Sequence, residues 1–394
     1  MEAVDGYVNS FKLRYVYLDK LFNGRLEAKS KGKRLVTDVN IFINFESLYN
    51  YIRRRDVEKE IATAKKKEIR MIYRSAIAEF INVAAHYREY FKRHQIRTNI
   101  FYYFNELEET YVNYNNSALV PEYRNHFIES TTAIDRLTIN SLIADSIPFM
   151  RIITEYIDSV YMVGTKRVEA SLIPFIINME GKFPANMNIL ITKDEYDYQY
   201  CNNNFLVISK YLGEPVILTK RNIMRFMRHK KKYKEKITST GKNITRELNP
   251  ILLTFILTFL GDRKRSIPGI KGFGFTRIYN QLSRLYDVGY IFDEEPDTMQ
   301  IQNLCDIFSK YGSFSFREED LRNEVMTLFK VYDFEYQYSV MSKGQREHIL
   351  DQLKNKSDVQ GLIELNDKYF EYNPLMLMEL NNYEKKEGIV KYLD

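Results

Sequence analysis

The chain has 394 residues, 45% of them apolar, and a mild basic excess of +6. This balance excludes an intrinsically disordered protein and leaves length for one large or two modest domains with their own cores. Cys201 and Cys305 are the only cysteines; their isolation excludes a disulfide scaffold or zinc module, and both are expected to be buried thiols in a reducing compartment.

The N-terminus, MEAVDGYVNSFKLRYVYLDKLF, has no signal-peptide apolar core, and the apolar run ILLTFILTFL is ten residues long, half of a bilayer span. A soluble cytoplasmic protein without a membrane partner is expected. Abundant Tyr, Phe, Asn, Lys and Ile with no Trp suggests an AT-rich genome such as that of a phage or large virus, which would place the protein in infected-host cytoplasm or the virion.

Taken in order, short β-type runs recur between helical patterns. They are IFINF (41–45), NIFYYF (99–104), VYMV (160–163), NILIT (188–192), FLVI (205–208) and PVIL (215–218). Between the first two lies a long charged stretch in which Ile69, Ile72, Ile77, Phe80 and Val83 recur at helical spacing and form one apolar face. A second helical pattern, AIDRLTINSLIADSIPFMRIITEYI, precedes the third run. Alternating strands and helices predict an α/β protein with a mostly parallel sheet flanked by helices. Ligands of such sheets collect at the carboxyl ends of the strands.

From about Thr219 the pattern is helical. The basic run KRNIMRFMRHKKKYKEK (220–236) interleaves Lys and Arg with Phe226 and Tyr233, which suits either a nucleic-acid surface or a solvated face. ILLTFILTFLGDRKRSIPGIKGFGFTRIYNQL then has a helix stopping at Gly261, a loop set by Pro268, Gly269, Gly272 and Gly274, and a second helix. Glycines let a backbone approach phosphate closely, and the N–H groups opening the second helix face that phosphate. Such a hairpin grips a nucleic-acid backbone without reading bases; the alternative is a capped hairpin that binds nothing. The tail beyond residue 330 is helical and tyrosine-rich, and its PLMLMEL stripe suits either core or a protein partner. The five histidines lack metal-pair spacing, and no Walker loop, nucleophile elbow or dinucleotide glycine motif occurs.

GDRKRSIPGIKGFG resembles the helix–three-turn–helix hairpin of the flap endonuclease and 5′→3′ exonuclease family, written G-D-x-x-D-N-I-P-G-V-x-G-I-G. NNSALVPEYRNHF (115–127), RVEASLIPFI (167–176) and NILITKDEYDYQY (188–200) resemble, in the family's order, its R-x-x-L-x-P-E-Y-K-x-N-R, E-A-D-D-x-I-A and T-G-D-x-D-x-x-Q-L segments. The resemblance covers about residues 38–290. It implies a PIN-like α/β core at 38–220 after an N-terminal extension at 1–37, a hairpin region at 221–330 for nucleic acid, and a helical C-terminal extension at 331–394.

Family members hold divalent ions with strand-end carboxylates to cut phosphodiesters. Matched residue by residue, Glu169, Asp194 and Asp262 keep the acids and are the weak candidates for Mg or Mn and for catalysis. Asn44, Asn105, Ser171, Leu172, Tyr196 and Arg265 stand where the family has acids. The gateway pair falls on Tyr123 and Arg124. The resemblance implies nucleic-acid contacts from Tyr123, Arg124, Arg263, Lys264, Gly269, Lys271, Gly272, Gly274 and Arg277.

A cation at Arg265 would repel a divalent ion or pair with Asp262. Glu169 and Asp194 would then be structural, bonded to neighbouring backbone or paired with Arg124. Glu46, Glu106, Glu195 and Asp197 are the acids nearby that a rebuilt cluster would use, although Asp197 falls where the family has an apolar residue. The resulting reading is a catalytically degenerate relative that binds duplex or branched DNA, or RNA, as part of a viral or phage complex, with no cofactor. The alternatives are an active Mg- or Mn-dependent 5′ nuclease with a rearranged site, and a structural protein that has lost nucleic-acid binding.

Overall fold

A computed structural model describes residues 36–45, 83–106, 114–121, 157–165, 168–201, 205–211, 214–234, 248–287 and 318–354, together with residues 15, 18, 19, 47, 147, 150, 151, 154 and 155. Cys305, the PLMLMEL stripe and most of the two long helical patterns before the third strand lie outside the described residues.

All six β-type runs become strands of one sheet: β1 (Asp38–Asn44), β2 (Arg97–Asn105), β3 (Val160–Thr165), β4 (Met187–Ile191), β5 (Phe205–Tyr211) and β6 (Glu214–Leu218). Their order is β3-β2-β1-β4-β5-β6. Every pair is parallel except β5–β6, which is antiparallel at the edge. The expected mostly parallel sheet flanked by helices is therefore the architecture observed.

The strands read as continuous apolar runs because helices cover both faces of the sheet. Side chains alternate between those faces. Phe42, Phe101, Tyr103, Leu190 and Val207 join one apolar cluster with residues of the helices described below, while their strand neighbours Ile41, Ile43, Ile100, Ile189 and Ile191 are also buried. In the register of the sheet Phe101 faces Phe42 and Tyr161. Its ring stacks on both, at centroid distances of 4.9 and 5.1 Å. Each such pair contributes about 0.5–1.5 kcal/mol beyond its area.

The helices used below are α1 (83–93), α2 (Tyr114–Leu119), α3 (Ile173–Met179), α4 (Ile223–Lys234), α5 (Leu253–Leu260), α6 (Phe275–Asp287), α7 (Glu318–Tyr332), α8 (Phe334–Ser339) and α9 (Lys343–Asp351). The ten-residue apolar run is the buried helix α5 with the turn before it; a helix apolar all round belongs inside. Among the described residues no helix is long and apolar enough to cross a membrane.

The C-terminal helices complete this core. Helix α7 packs on α5 and α2 and continues through the expected boundary at 330/331. Beyond α9, Gln352 stitches the chain to β3: its amide accepts from Gly164 N and donates to Gly164 O, both at 2.9 Å. Cys201 is a buried free thiol whose pKa burial pushes up.

Candidate functional site

Three strand ends converge where the sheet topology predicts a site. Asn44 closes β1, Asn105 closes β2, and Thr192–Asp194 follows β4. The segment Glu169–Leu172 folds over them through Ala170 N, which donates to Asn105 Oδ1 at 2.9 Å. Asp194 is fixed by its own turn: its N–H donates to Thr192 Oγ1 at 3.0 Å, and its Oδ1 accepts from Tyr196 N at 3.1 Å.

The hairpin approaches these ends from α5. Gly261 stops that helix at φ 65°, ψ −179°, a conformation open to glycine. A two-residue bridge between Asp262 and Ile267, with both N–H···O distances 2.9 Å, closes the loop on itself. Ile270 N then donates to Phe259 O at 2.9 Å. Within this knot Arg263–Arg265 makes one 3₁₀ turn, so Arg263 faces solvent while Arg265 is 1% exposed. Gly272, at φ 84°, and Gly274 lead into α6.

Arg265 lies among the three acids singled out in the sequence, Glu169, Asp194 and Asp262. Its Nη1 donates to Asp194 Oδ1 at 2.9 Å and Asp262 Oδ2 at 2.7 Å. Its Nη2 donates to Asp194 Oδ2 at 2.9 Å, Ser171 Oγ at 3.2 Å and Glu169 Oε1 at 3.3 Å. The Tyr196 ring lies 4.2 Å from the guanidinium carbon. Ser171, Tyr196 and Arg265, three of the six positions at which the sequence departs from the resembled acid pattern, thus form one arrangement with Glu169, Asp194 and Asp262. The pairing expected with Asp262 extends to Asp194 and Glu169; the expected pairing with Arg124 falls on a residue outside the described ones.

A second polar group lies behind this one. Asp197 is wholly buried, and its Oδ2 accepts from Thr192 Oγ1 at 2.6 Å, Tyr103 OH at 3.0 Å and Asn44 Nδ2 at 3.5 Å. Burial, then the neighbouring Asp194 charge, push its pKa up to about 6 against the opposing pull of Arg265. The position that the family keeps apolar is buried here too, but it holds a hydrogen-bonded acid. Glu106 and Glu195 do not join the cluster: Glu106 pairs with Arg151, and Glu195 with Lys230 at 3.0 Å.

A divalent ion needs several oxygen ligands at about 2.0–2.6 Å. The space between Glu169, Asp194 and Asp262 is filled by a guanidinium bonded to each, so the residues present do not fit such an ion. Among the described residues no group of three or more His, Cys, Asp or Glu stands ready to hold a metal.

In front of the cage, a cleft of about 900 Å³ runs between the strand ends and the hairpin. Asp194, Asp262, Lys193, Arg263 and Gly269 line it, with Tyr332 from α7. Gly269, Lys271, Gly272 and Gly274 are exposed on the hairpin loop. Arg277 is folded back, donating to Gly272 O at 3.1 Å. Helix α4 packs beside α6, burying Ile223, Met224 and Met227 and exposing Arg225 and His229, with Arg221 exposed in the turn before it. The Arg228 guanidinium sits 5.7 Å from the Tyr279 ring. Lys230 instead turns inward to Tyr198 and Glu195. Tyr123, Arg124, Glu46 and the Lys264 side chain lie outside what the structure describes.

Sequence reasoning misses the Tyr196 ring contact, the acceptor role of Ser171 and the cleft wall at Tyr332. Position matching marks Tyr196 and Ser171 only as replaced acids; no local signal marks Tyr332.

No family model and no curated protein matches the chain. Three similar solved structures are a bacteriophage T5 flap endonuclease with DNA and metal ions, a T5 5′-exonuclease with bound zinc, and the catalytic core of Rad2 with DNA substrate. The first is 12% identical at a TM-score of 0.49, covering 80% of this chain and 98% of that one. The second is 12% identical at 0.46, covering 84% and 98%. The third is 10% identical at 0.39, covering 90% and 92%.

Proposed function

We propose that this protein binds the backbone of duplex or branched nucleic acid through its helical hairpin and does not cut it. The observation that carries the reading is Arg265, bonded to Glu169, Asp194 and Asp262 together. In-line phosphodiester cleavage by paired metals needs ions on both the attacking and the leaving oxygen. A buried guanidinium among the retained acids removes the room and the ligands for them.

The grip is the exposed hairpin loop with Arg263 and Lys271, extended by the solvent face of α4. Backbone N–H groups and glycines bring phosphate close, and basic side chains add salt-dependent affinity without base preference. In this reading residues 38–220 carry Glu169 and Asp194 of the degenerate site, and 221–330 carry the grip together with Asp262 and Arg265. A viral or phage complex is the setting that the Trp-free, Tyr-rich composition supports.

The test is binding and cleavage of a 5′-flap duplex with Mg²⁺ or Mn²⁺, by wild type beside Asp194→Ala/Asp262→Ala, with circular dichroism to check folding. Salt-sensitive binding by wild type with no cutting is expected. Metal-dependent cutting that disappears in a folded double variant would overturn the reading in favour of an active 5′ nuclease. Absence of flap binding by wild type would leave a structural protein.

A further inference from the structure

The three acids of the cage belong to three separate segments. Glu169 follows β3, Asp194 follows β4, and Asp262 opens the hairpin. A shared cation joins such segments by satisfying carboxylates that would otherwise repel one another. Here the cation is covalently part of the hairpin, three residues from Asp262, and it reaches Asp194 and Glu169 across 71 and 96 positions of sequence.

Burial of a charge is costly unless it is paired and hydrogen-bonded. Arg265 is among the largest fully buried side chains of the described residues, whereas Arg263 in the same turn is exposed. The guanidinium has a planar array of N–H donors. Both terminal nitrogens bond the acids, Ser171 Oγ adds an acceptor, and one face is covered by Tyr196. Tyr196 is itself anchored, its hydroxyl donating to Val331 O at 2.6 Å. Every partner is built into the fold, which distinguishes this arrangement from a chance surface ion pair.

We propose that the Arg265 guanidinium is a tethered cation that permanently takes the charge-balancing and cross-linking place of an exchangeable divalent ion, fastening the hairpin to the sheet. Cutting the side chain back turns the cage into a site for a free cation, either guanidinium or a divalent metal. The inference deepens the non-cleaving half of the proposed function and holds whether or not the hairpin binds nucleic acid.

The experiment is thermal unfolding of the full chain, with EDTA, MnCl₂ or low-millimolar guanidinium, at matched ionic strength. Wild type is expected to melt at the same temperature in EDTA and in MnCl₂, and to bind no Mn²⁺ by electron paramagnetic resonance. Arg265→Ala is expected to melt on the order of 10 °C lower, as for loss of one partner from a buried ion pair. Guanidinium or Mn²⁺, but not NaCl, should restore part of that loss saturably. The response should vanish in Arg265→Ala/Asp194→Asn.

Wild-type Mn²⁺ binding that Asp194→Asn abolishes would overturn the proposal, as would an Arg265→Ala protein that responds to neither cation. Should Arg265→Ala not fold, Arg265→Lys keeps the charge without the fork: an intermediate, metal-insensitive melting temperature supports the proposal, and wild-type stability opposes it. Flap binding measured on the same wild-type sample separates the two readings. Its absence sinks the nucleic-acid grip alone, and Asp194-dependent Mn²⁺ binding sinks the tethered cation together with its support for the non-cleaving half, leaving the grip standing.

Discussion

Each carboxylate oxygen of Asp194 accepts a hydrogen bond from a different terminal nitrogen of Arg265, both at 2.9 Å. The side chains are 71 positions apart in sequence and lie on opposite sides of the join between sheet and hairpin. A two-point contact of this kind fixes direction as well as distance. It orients the whole 3₁₀ turn at Arg263–Arg265, and with it the exposed loop that follows.

Asp194→Asn keeps the side chain's shape but removes its charge and one of the two acceptors for Arg265. The expected loss of stability is about 3 kcal/mol, the scale for breaking a buried pair from one side, measured by urea unfolding. Arg265→Met should cost less in the Asp194→Asn background than in wild type. Additive losses would show that the two side chains do not act together.

Gly261 is held at φ 65° within van der Waals reach of the returning chain. A Cβ there would stand 2.4 Å from Gly269 N and 2.6 Å from Ile267 O. Both are backbone atoms of the returning chain, Ile267 O being bonded to Asp262 N in the bridge, and neither can turn aside as a side chain could. Gly261→Ala should cost more than the roughly 1–3 kcal/mol of backbone strain alone and should weaken nucleic-acid binding in parallel. A melting temperature within a degree of wild type would show that the knot is not needed.

Reversing two exposed cations, Arg263→Glu with Lys271→Glu, is expected to weaken flap binding at all sequences alike. The slope of log affinity against log salt should fall by roughly 1 for each phosphate that is no longer neutralised. Folding should be unchanged, because both side chains face solvent. Titrations at several salt concentrations measure both quantities, and an unaltered slope would remove the loop from the interface.

Asp197 supplies a pH prediction. Its pKa is raised in the folded protein from 3.8 to about 6, so between those values the folded state binds more protons than the unfolded one. Its contribution to stability is then fully present below pH 3.8 and is lost as pH rises through about 6. Asp197→Asn can still accept from Tyr103 and Thr192 and carries no charge. Relative to wild type it should gain on the order of 3 kcal/mol on going from acid to neutral pH. Melting temperatures of both proteins across that interval check it, and parallel curves would show that Asp197 does not titrate there.

The strands and the hairpin are legible in the sequence because each rests on neighbours in the chain. IFINF, NIFYYF and NILIT are apolar runs between breakers, the form of strands covered on both faces. Gly261, Pro268 and the later glycines mark a turn through their own backbone preferences. Matching acids by position also identifies Glu169, Asp194 and Asp262, as well as the six replaced positions.

Only the tertiary structure decided what Arg265 does. From sequence it is a cation at a replaced acid position and a candidate partner for Asp262, but nothing local shows that it is buried while Arg263 is exposed, or that it reaches Asp194 and Glu169. A 3₁₀ turn closed by the Asp262–Ile267 bridge sends one side chain outward and the other between two strand ends. The acids it meets come from segments 71 and 96 positions away. The same holds for Tyr196, whose ring covers the guanidinium, and for Tyr332, which reaches the cleft from a helix near the other end of the chain. Chain-local preferences determine which elements form. The packing of those elements decides which side chains are taken out of water together, and at this site that desolvation makes the charge pairing strong enough to matter.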